Sequence, residues 1–294
     1  MLYKVTHNTT YLYSDVVPVC HNELHLTPRE SGYQRCKQHR LLIRPEPAWM
    51  EKRTDFFGNT LQHFSIHEGH HRLSVTAVSR VRVRSAPERN LAASMPWEQV
   101  RDAIRADRSA EGLDVYQFTF DSPFVRRSST FVGYGQSTFQ PGRPILEAVR
   151  ELTTRIFKDF RYDTTATTVN TPLEEVFRDR RGVCQDFAHV ALACVRSAGL
   201  AARYVSGYLL NTPPPGKPRL VGADASHAWI SVYCPGEGWV DFDPTNNLMP
   251  SLEHITLSWG RDYHDVCPIK GVFVGGGHHA MTVSVDVRPL SHEK

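Results

Sequence analysis

No stretch of this 294-residue chain approaches the ~20 consecutive apolar residues that a helix needs to cross a bilayer, so no membrane is expected as a partner. A one-signed charge excess is missing as well. The formal net charge is only +3, without the concentrated basic stripe that marks nucleic-acid binding. The densest basic run, Arg80-Val81-Arg82-Val83-Arg84, alternates charge with valine, which is the pattern of one solvated strand face. The six cysteines (Cys20, Cys36, Cys184, Cys194, Cys234 and Cys267) include no close pair and no zinc-type spacing. A chain of this size does not need them as a disulfide framework. The first residues, MLYKVTHNTTYLY, lack an apolar run before a small-residue cleavage site, so no secretory signal is expected. A reduced, cytoplasmic setting follows as the expectation, and it suits a reactive thiol. Repeats and low-complexity tracts are missing too.

What is present is the composition of an ordinary globular protein, with 40% hydrophobic and 22% charged residues and length for about two domains. Up to about Arg84 the chain alternates with period two. YKVTHNTTYLYS, VPVCHNELHLTP, KQHRLLIRP, LQHFSIH and LSVTAVSRVRVR read as short strands with no helix between them, which predicts an antiparallel β-sandwich. SAPERNLAASMP breaks the pattern and is read as a linker, dividing the chain into an N-terminal domain over 1–90 and a second domain over 91–294. The second region predicts helices at WEQVRDAIRAD, PILEAVRELTTRIFKDF and PLEEVFRDR, with Pro144 and Pro172 in tolerated first-turn positions. Strands follow at AARYVSGYLL, HAWISVYC and GWVDFD; the run TPPPGKP is read as a loop. The tail MTVSVDVRPL alternates again and is read as closing a sheet. The fold class is α+β.

The chemistry concentrates in two segments. In RRGVCQDFAHVALACVRSAGL, Phe187, Ala191 and Val195 form an apolar stripe at i+4 spacing, which puts Cys184 in the first turn of a mostly buried helix. Unpaired N–H groups and the positive end of the helix dipole favour thiolate over thiol there, and the same groups can hold an oxyanion. The other five cysteines read as small buried hydrophobes. A nucleophile needs a base, and the base needs an orienter. SHAWISVYCPGEGWVDFDPTNN offers both on a hairpin: His227 opens one strand, PGEG turns the chain, and Asp243 closes the other. Asp241 would face the same side and is a rival orienter, and an Asp-Pro at a strand end is also ordinary turn chemistry.

These segments resemble the transglutaminase-like superfamily, whose fold is similar to that of papain-type cysteine proteases. The matching residues are GVCQDFAHVALACVRSAGLAARYVSGYL (182–209) and SHAWISVYCPGEGWVDFDPTNN (226–247). The family order of Cys at a helix start, His at a strand start and Asp in a D-P-T turn falls on Cys184, His227 and Asp243, and favours Asp243 over Asp241. RDYHDVCPIKGVF (261–273) and the β-rich first region resemble a bacterial subgroup with an N-terminal sandwich. The resemblance implies a Cys-His-Asp catalytic triad, a thioester intermediate, no cofactor, no metal, and a peptide or protein substrate carrying an amide. The implied activity is a cysteine protease or amidase, with transglutaminase-type acyl transfer to an amine as the alternative. Animal transglutaminases place Trp after the nucleophile, whereas this chain has Gln185. The backbone N–H of Cys184 is the expected oxyanion donor, with Tyr162 in KDFRYD as a weaker second.

Two other classes compete. His67-Glu68-Gly69-His70-His71 literally matches H-E-x-x-H, the zinc-hydrolase signature, which needs its histidines one helical turn apart. Its flanks read as strands around a Glu68-Gly69 hairpin turn, which sets His67 and His71 on opposite sides. The second class is a binding or scaffold protein that kept the fold without catalysis. The intact Cys, His and Asp argue against it.

Overall fold

The computed structural model describes residues 1–211 and 225–290; the TPPPGKP segment (212–218) lies outside the described residues. In chain order the first region forms β1 (Leu2–Val17), β2 (Val19–Leu24), β3 (Gln34–Arg44), β4 (Trp49–Thr54), β5 (Thr60–Ile66) and β6 (His70–Val83). The helices α1 (Trp97–Ala106), α2 (Ala110–Tyr116), α3 (Ser129–Gln136), α4 (Ile145–Asp159), α5 (Leu173–Asp179) and α6 (Cys184–Ser197) follow. Two-residue strands β7 (Arg161–Tyr162) and β8 (Arg181–Gly182) flank α5. The chain then runs through β9 (Ala202–Leu209), β10 (Ala225–Cys234), β11 (Gly238–Phe242), β12 (His254–Gly260), α7 (Tyr263–Val266), β13 (Ile269–Val274) and β14 (His279–Leu290). The expected α+β class is what the chain adopts.

Three four-stranded sheets organise the molecule, in the orders β14-β1-β6-β3, β13-β2-β5-β4 and β11-β10-β9-β12. The first two share an apolar cluster that includes Val17, Leu24, Phe64, Ile66 and Val75. They form a two-sheet unit because their strands alternate. In β6, for example, Val75, Val81 and Val83 are buried while Arg80 and Arg82 stay exposed. The division at residue 90 falls just past β6, but it leaves out β13 and β14. These C-terminal strands pair with β2 and β1, as in Val5↔Val287 and Asn22↔Gly271. The unit therefore draws on both ends of the chain, which a contiguous boundary cannot express.

The third sheet belongs to the helical region. Helix α6 is buried nearly all round, with Phe187, Val190, Ala191, Leu192 and Val195 each 2% exposed or less, as befits a helix in the middle of a core. One face of the sheet, through Ala228, Ile230, Val232 and Phe242, joins the same cluster. The two regions meet through Tyr3, Val5, Val81, Val83, Tyr208, Ile255, Leu257, Val285 and Val287. Thus the inner face of β1 has three stretches. Tyr13 packs into the two-sheet unit and Tyr3 and Val5 pack onto the third sheet. Polar His7 and Thr9 lie between them, both 2% exposed.

The H-E-x-x-H segment is the turn between β5 and β6, not a helix. It is also not a hairpin, since those strands belong to opposite sheets. His67 and His71 are exposed, whereas His70 is buried with its Nδ1 2.7 Å from the Glu68 carbonyl oxygen.

Candidate active site

Cys184 is the first residue of α6. Its turn is held from below, where the Asp186 carboxylate accepts the Val183 N–H at 2.8 Å and the Thr167 hydroxyl at 2.7 Å. This is a helix-start cap in which the third residue reaches back. Gly182 makes the cap possible, because a Cβ there would overlap the Asp186 carboxylate. Burial raises the Asp186 carboxyl above its ordinary value, opposed by those two hydrogen bonds.

His227 and Asp243 come from the β10–β11 hairpin. The register pairs Ile230 with Phe242 and Ser231 with Asp241, so extending it sets His227 and Asp243 as diagonal neighbours on one face. The imidazole Nε2–H donates to Asp243 Oδ2 at 2.7 Å, which leaves Nδ1 for the sulfur. His227 and Cys184 line one cavity, and their side chains interact. Burial pulls the His227 imidazole down, but Asp243 and Cys184 outweigh it and raise it to about 10. Burial pushes Asp243 the other way, yet its bonds to His227, His254 and Asn246 hold it well below the usual carboxylate range.

Asp243 is fully buried and almost saturated with donors. The Thr245 and Asn246 N–H groups reach Oδ1 at 2.9 and 3.2 Å. The Asn246 amide and His254 Nε2 reach Oδ2 at 2.7 and 3.1 Å. Asp241 lies one diagonal further along the same ladder and accepts the Trp229 indole N–H at 3.1 Å; it does not touch His227. The sequence reading missed both Asn246 and His254. Asn246 was visible within the D-P-T-N-N turn, whereas His254, on β12, carries no local signal. Among the described residues, the atoms of His227, Asp243 and His254 lie within 4.8 Å of one another and form the one cluster that could hold a cation. The hydrogen bonds above already engage all three.

Tyr162 sits beside Gly182 through the β7–β8 pairing. Its phenol is half exposed, and burial together with Cys184 raises its pKa. Tyr204 lines the cavity and its hydroxyl makes no hydrogen bond among the described residues. Burial foremost, then Cys184, raises it far above the ordinary phenol value.

The cavity holds ≈ 420 Å³ and opens onto Cys184 and His227. One wall is the helical region. The other is the inner face of β1 and β14, through His7, Thr9, Tyr11, Met281, Val283 and Val285. The two-sheet unit is therefore part of the site. Among the described residues no Asp, Glu, Lys or Arg lines the cavity.

Two family models match the chain: a bacterial transglutaminase-like N-terminal region over residues 3–82 and the transglutaminase-like superfamily over 133–244. The uncharacterized protein Rv2569c of Mycobacterium tuberculosis (strain H37Rv) is 42% identical over 297 residues, covering 98% of this chain and 93% of its own length. The uncharacterized protein ML0607 of Mycobacterium leprae is 31% identical, covering 98% and 99%. A crystal structure from Cytophaga hutchinsonii, described as a candidate cysteine protease, superposes with a TM-score of 0.77 at 20% identity, over 100% of this chain and 92% of that one. At that identity the likeness speaks to the fold.

Proposed function

The chain belongs to the transglutaminase-like superfamily, and from that premise we propose that it is a cysteine-dependent hydrolase of amide or peptide bonds. The observation that carries this reading is the 2.7 Å bond between His227 and Asp243 with Cys184 lining the same cavity, which among the described residues has no Asp, Glu, Lys or Arg in its lining.

The Cys184 sulfur, as thiolate, attacks the carbonyl carbon, and the carbonyl oxygen takes up the negative charge. The Cys184 N–H at the helix start faces that charge. Tyr162 is the second donor we assign, because its partly exposed phenol stands beside Gly182. Tyr204 packs instead under α6, its ring 5.1 Å from that of His189. The tetrahedral species collapses as the C–N bond breaks, and the His227 imidazolium gives its proton to the departing amine. An acyl-thioester remains. His227, now neutral, takes a proton from water, whose oxygen attacks the thioester carbon. The acid leaves and the thiolate–imidazolium pair returns.

Hydrolysis is favoured over transfer to a lysine because, among the described residues, no acidic side chain lines the cavity to dock an amine's cation. The same lining fits an uncharged, apolar segment beside the scissile carbonyl, since an unpaired charge there would lose its hydration. The test is mass spectrometry of the protein after incubation with a library of peptide amides, expecting an acyl adduct on Cys184. Cys184→Ala is expected to lower turnover by roughly 10³-fold or more. Undiminished turnover in that variant, or an adduct mapped to another residue, would overturn the reading.

A further inference from the structure

The far face of the β11-β10-β9-β12 sheet, away from α6, carries a second cavity of ≈ 640 Å³. Arg203 on β9 lines it and is 9% exposed. The indoles of Trp239 and Trp259 lie 4.3 and 3.6 Å from its guanidinium carbon. These strands stand on either side of β9 in the sheet order, so aromatic rings cover the guanidinium and leave its N–H groups as the working surface. None of those groups finds an acceptor among the described residues. Asp241, which lines the cavity together with Glu88, is near enough to be felt electrostatically; its Oδ2 accepts the Trp229 indole and it makes no hydrogen bond to Arg203. Burial foremost, with Arg29 adding and Asp241 opposing, lowers Arg203 to about 9, so it remains cationic at neutral pH.

A buried guanidinium with unpaired donors is costly unless something takes them. Its five donors form a planar fork that matches a carboxylate in two parallel hydrogen bonds. Arg84 lines the same cavity from an exposed position and is likewise without a hydrogen bond from its side chain among the described residues. The third arginine, Arg89, is already paired with Glu237. Two uncommitted cations therefore face one cavity, one deep and one at the mouth.

We propose that this cavity binds a small organic carboxylate, held in the plane of the Arg203 guanidinium with Arg84 at the entrance. The cavity lies on the other side of the sheet from the cleft at Cys184, although His254, which bonds Asp243, also lines it; the proposal does not depend on the reaction assigned at Cys184. Three of the chain's five tryptophans, Trp229, Trp239 and Trp259, line it, so indole fluorescence reports occupancy.

The experiment titrates the full chain with succinate against NaCl of matched ionic strength, with inorganic phosphate as a second arm. Succinate is expected to change the fluorescence saturably, at half-saturation of roughly 1 mM or below. Arg203→Lys keeps the charge but removes the fork and is expected to weaken binding at least about tenfold. Arg84→Glu, on the exposed rim where folding is not at stake, is expected to weaken it by a similar factor through charge reversal. No saturable change beyond the NaCl control would overturn the proposal. Equal succinate affinity in Arg84→Glu, or in a folded Arg203→Lys, would do the same by placing the anion elsewhere. Phosphate binding more tightly than succinate would overturn the carboxylate assignment.

Discussion

The cleft at Cys184 has a buried histidine on each wall, and the two are opposites. His7, on the β1 wall, meets the Tyr208 hydroxyl at Nδ1 and the Thr9 hydroxyl at Nε2, both at 2.9 Å. Burial alone lowers it to about 4. On the facing wall His227 is nearly as buried, yet it is raised to about 10 once Asp243 and Cys184 are counted against burial. Burial therefore does not decide the charge of an imidazole; a carboxylate at 2.7 Å does. One wall is equipped to hold and move a proton, and the other offers only a neutral polar spot in an apolar surface.

Replacing the carboxylate should collapse the contrast. In Asp243→Asn, His227 loses its main upward influence and is expected to titrate far below 10, approaching His7. Turnover should fall by roughly 10²- to 10⁴-fold, by the logic of orienting carboxylates elsewhere. An NMR titration of the ring protons checks the first part and steady-state rates the second. A His227 that still titrates near 10 would break the comparison. The pH dependence of stability has a definite sign. The raised His227 contributes stability that is full below its ordinary 6.5 and is lost as pH climbs through about 10. The lowered Asp243 contributes stability that is full above its ordinary 3.8 and is lost as pH falls through its depressed folded value. Stability in the parent, read from denaturation midpoints, should thus be level between about pH 3.8 and 6.5, decline on the acid side below that window and decline steadily as pH rises from 6.5 towards 10, and Asp243→Asn should lose both slopes.

A smaller effect is expected at the floor of the site. Gly182→Ala drives a methyl into the Asp186 carboxylate that caps α6. The expected cost is about 1–3 kcal/mol, as for overpacking elsewhere, read from urea denaturation, with slower alkylation of Cys184 by iodoacetamide. Unchanged stability and alkylation would show that Asp186 can move without disturbing the first turn. The smallest effect belongs to His254→Phe, which keeps a ring against Trp229 but removes one donor to Asp243. We expect kcat to fall by roughly 3- to 10-fold, the worth of one ordinary hydrogen bond of about 1 kcal/mol, since the other donors to Asp243 remain, with KM little changed. His254→Gln, which restores a donor, should recover part of the loss; an equal loss in both variants would mean that His254 serves packing.

The parts of the site legible in the sequence are those encoded locally. Gly182 before Cys184 and the Phe187, Ala191 and Val195 stripe announce a buried helix beginning at the cysteine, and α6 begins there. The turn between His227 and Asp243 fixes their register within a few residues. The diagonal, however, separates Asp243 from Asp241 only once the pairing is known. Elements without a periodic signal went unseen. β4 is a largely exposed edge strand reading WMEKRT, with no buried face to impose alternation, and α3 carries two glycines, Gly133 and Gly135, that weaken its helical propensity. The β1–β14 wall was half legible. The tail's alternation showed a strand, but nothing near residue 281 says that its partner is Tyr11.

That pairing has a consequence for biogenesis. The wall opposite Cys184 is made by β1 and β14, the first and last strands among the described residues, joined over twelve consecutive pairs from Leu2↔Leu290 to Tyr13↔His279. During synthesis the thiol-bearing helix can collapse onto its neighbours long before residue 279 is made, whereas the Met281, Val283 and Val285 half of the facing wall does not exist until then. Closing so distant a contact is slow, and a chain cut short before β14 would carry Cys184 opposite a wall missing its Met281, Val283 and Val285 half.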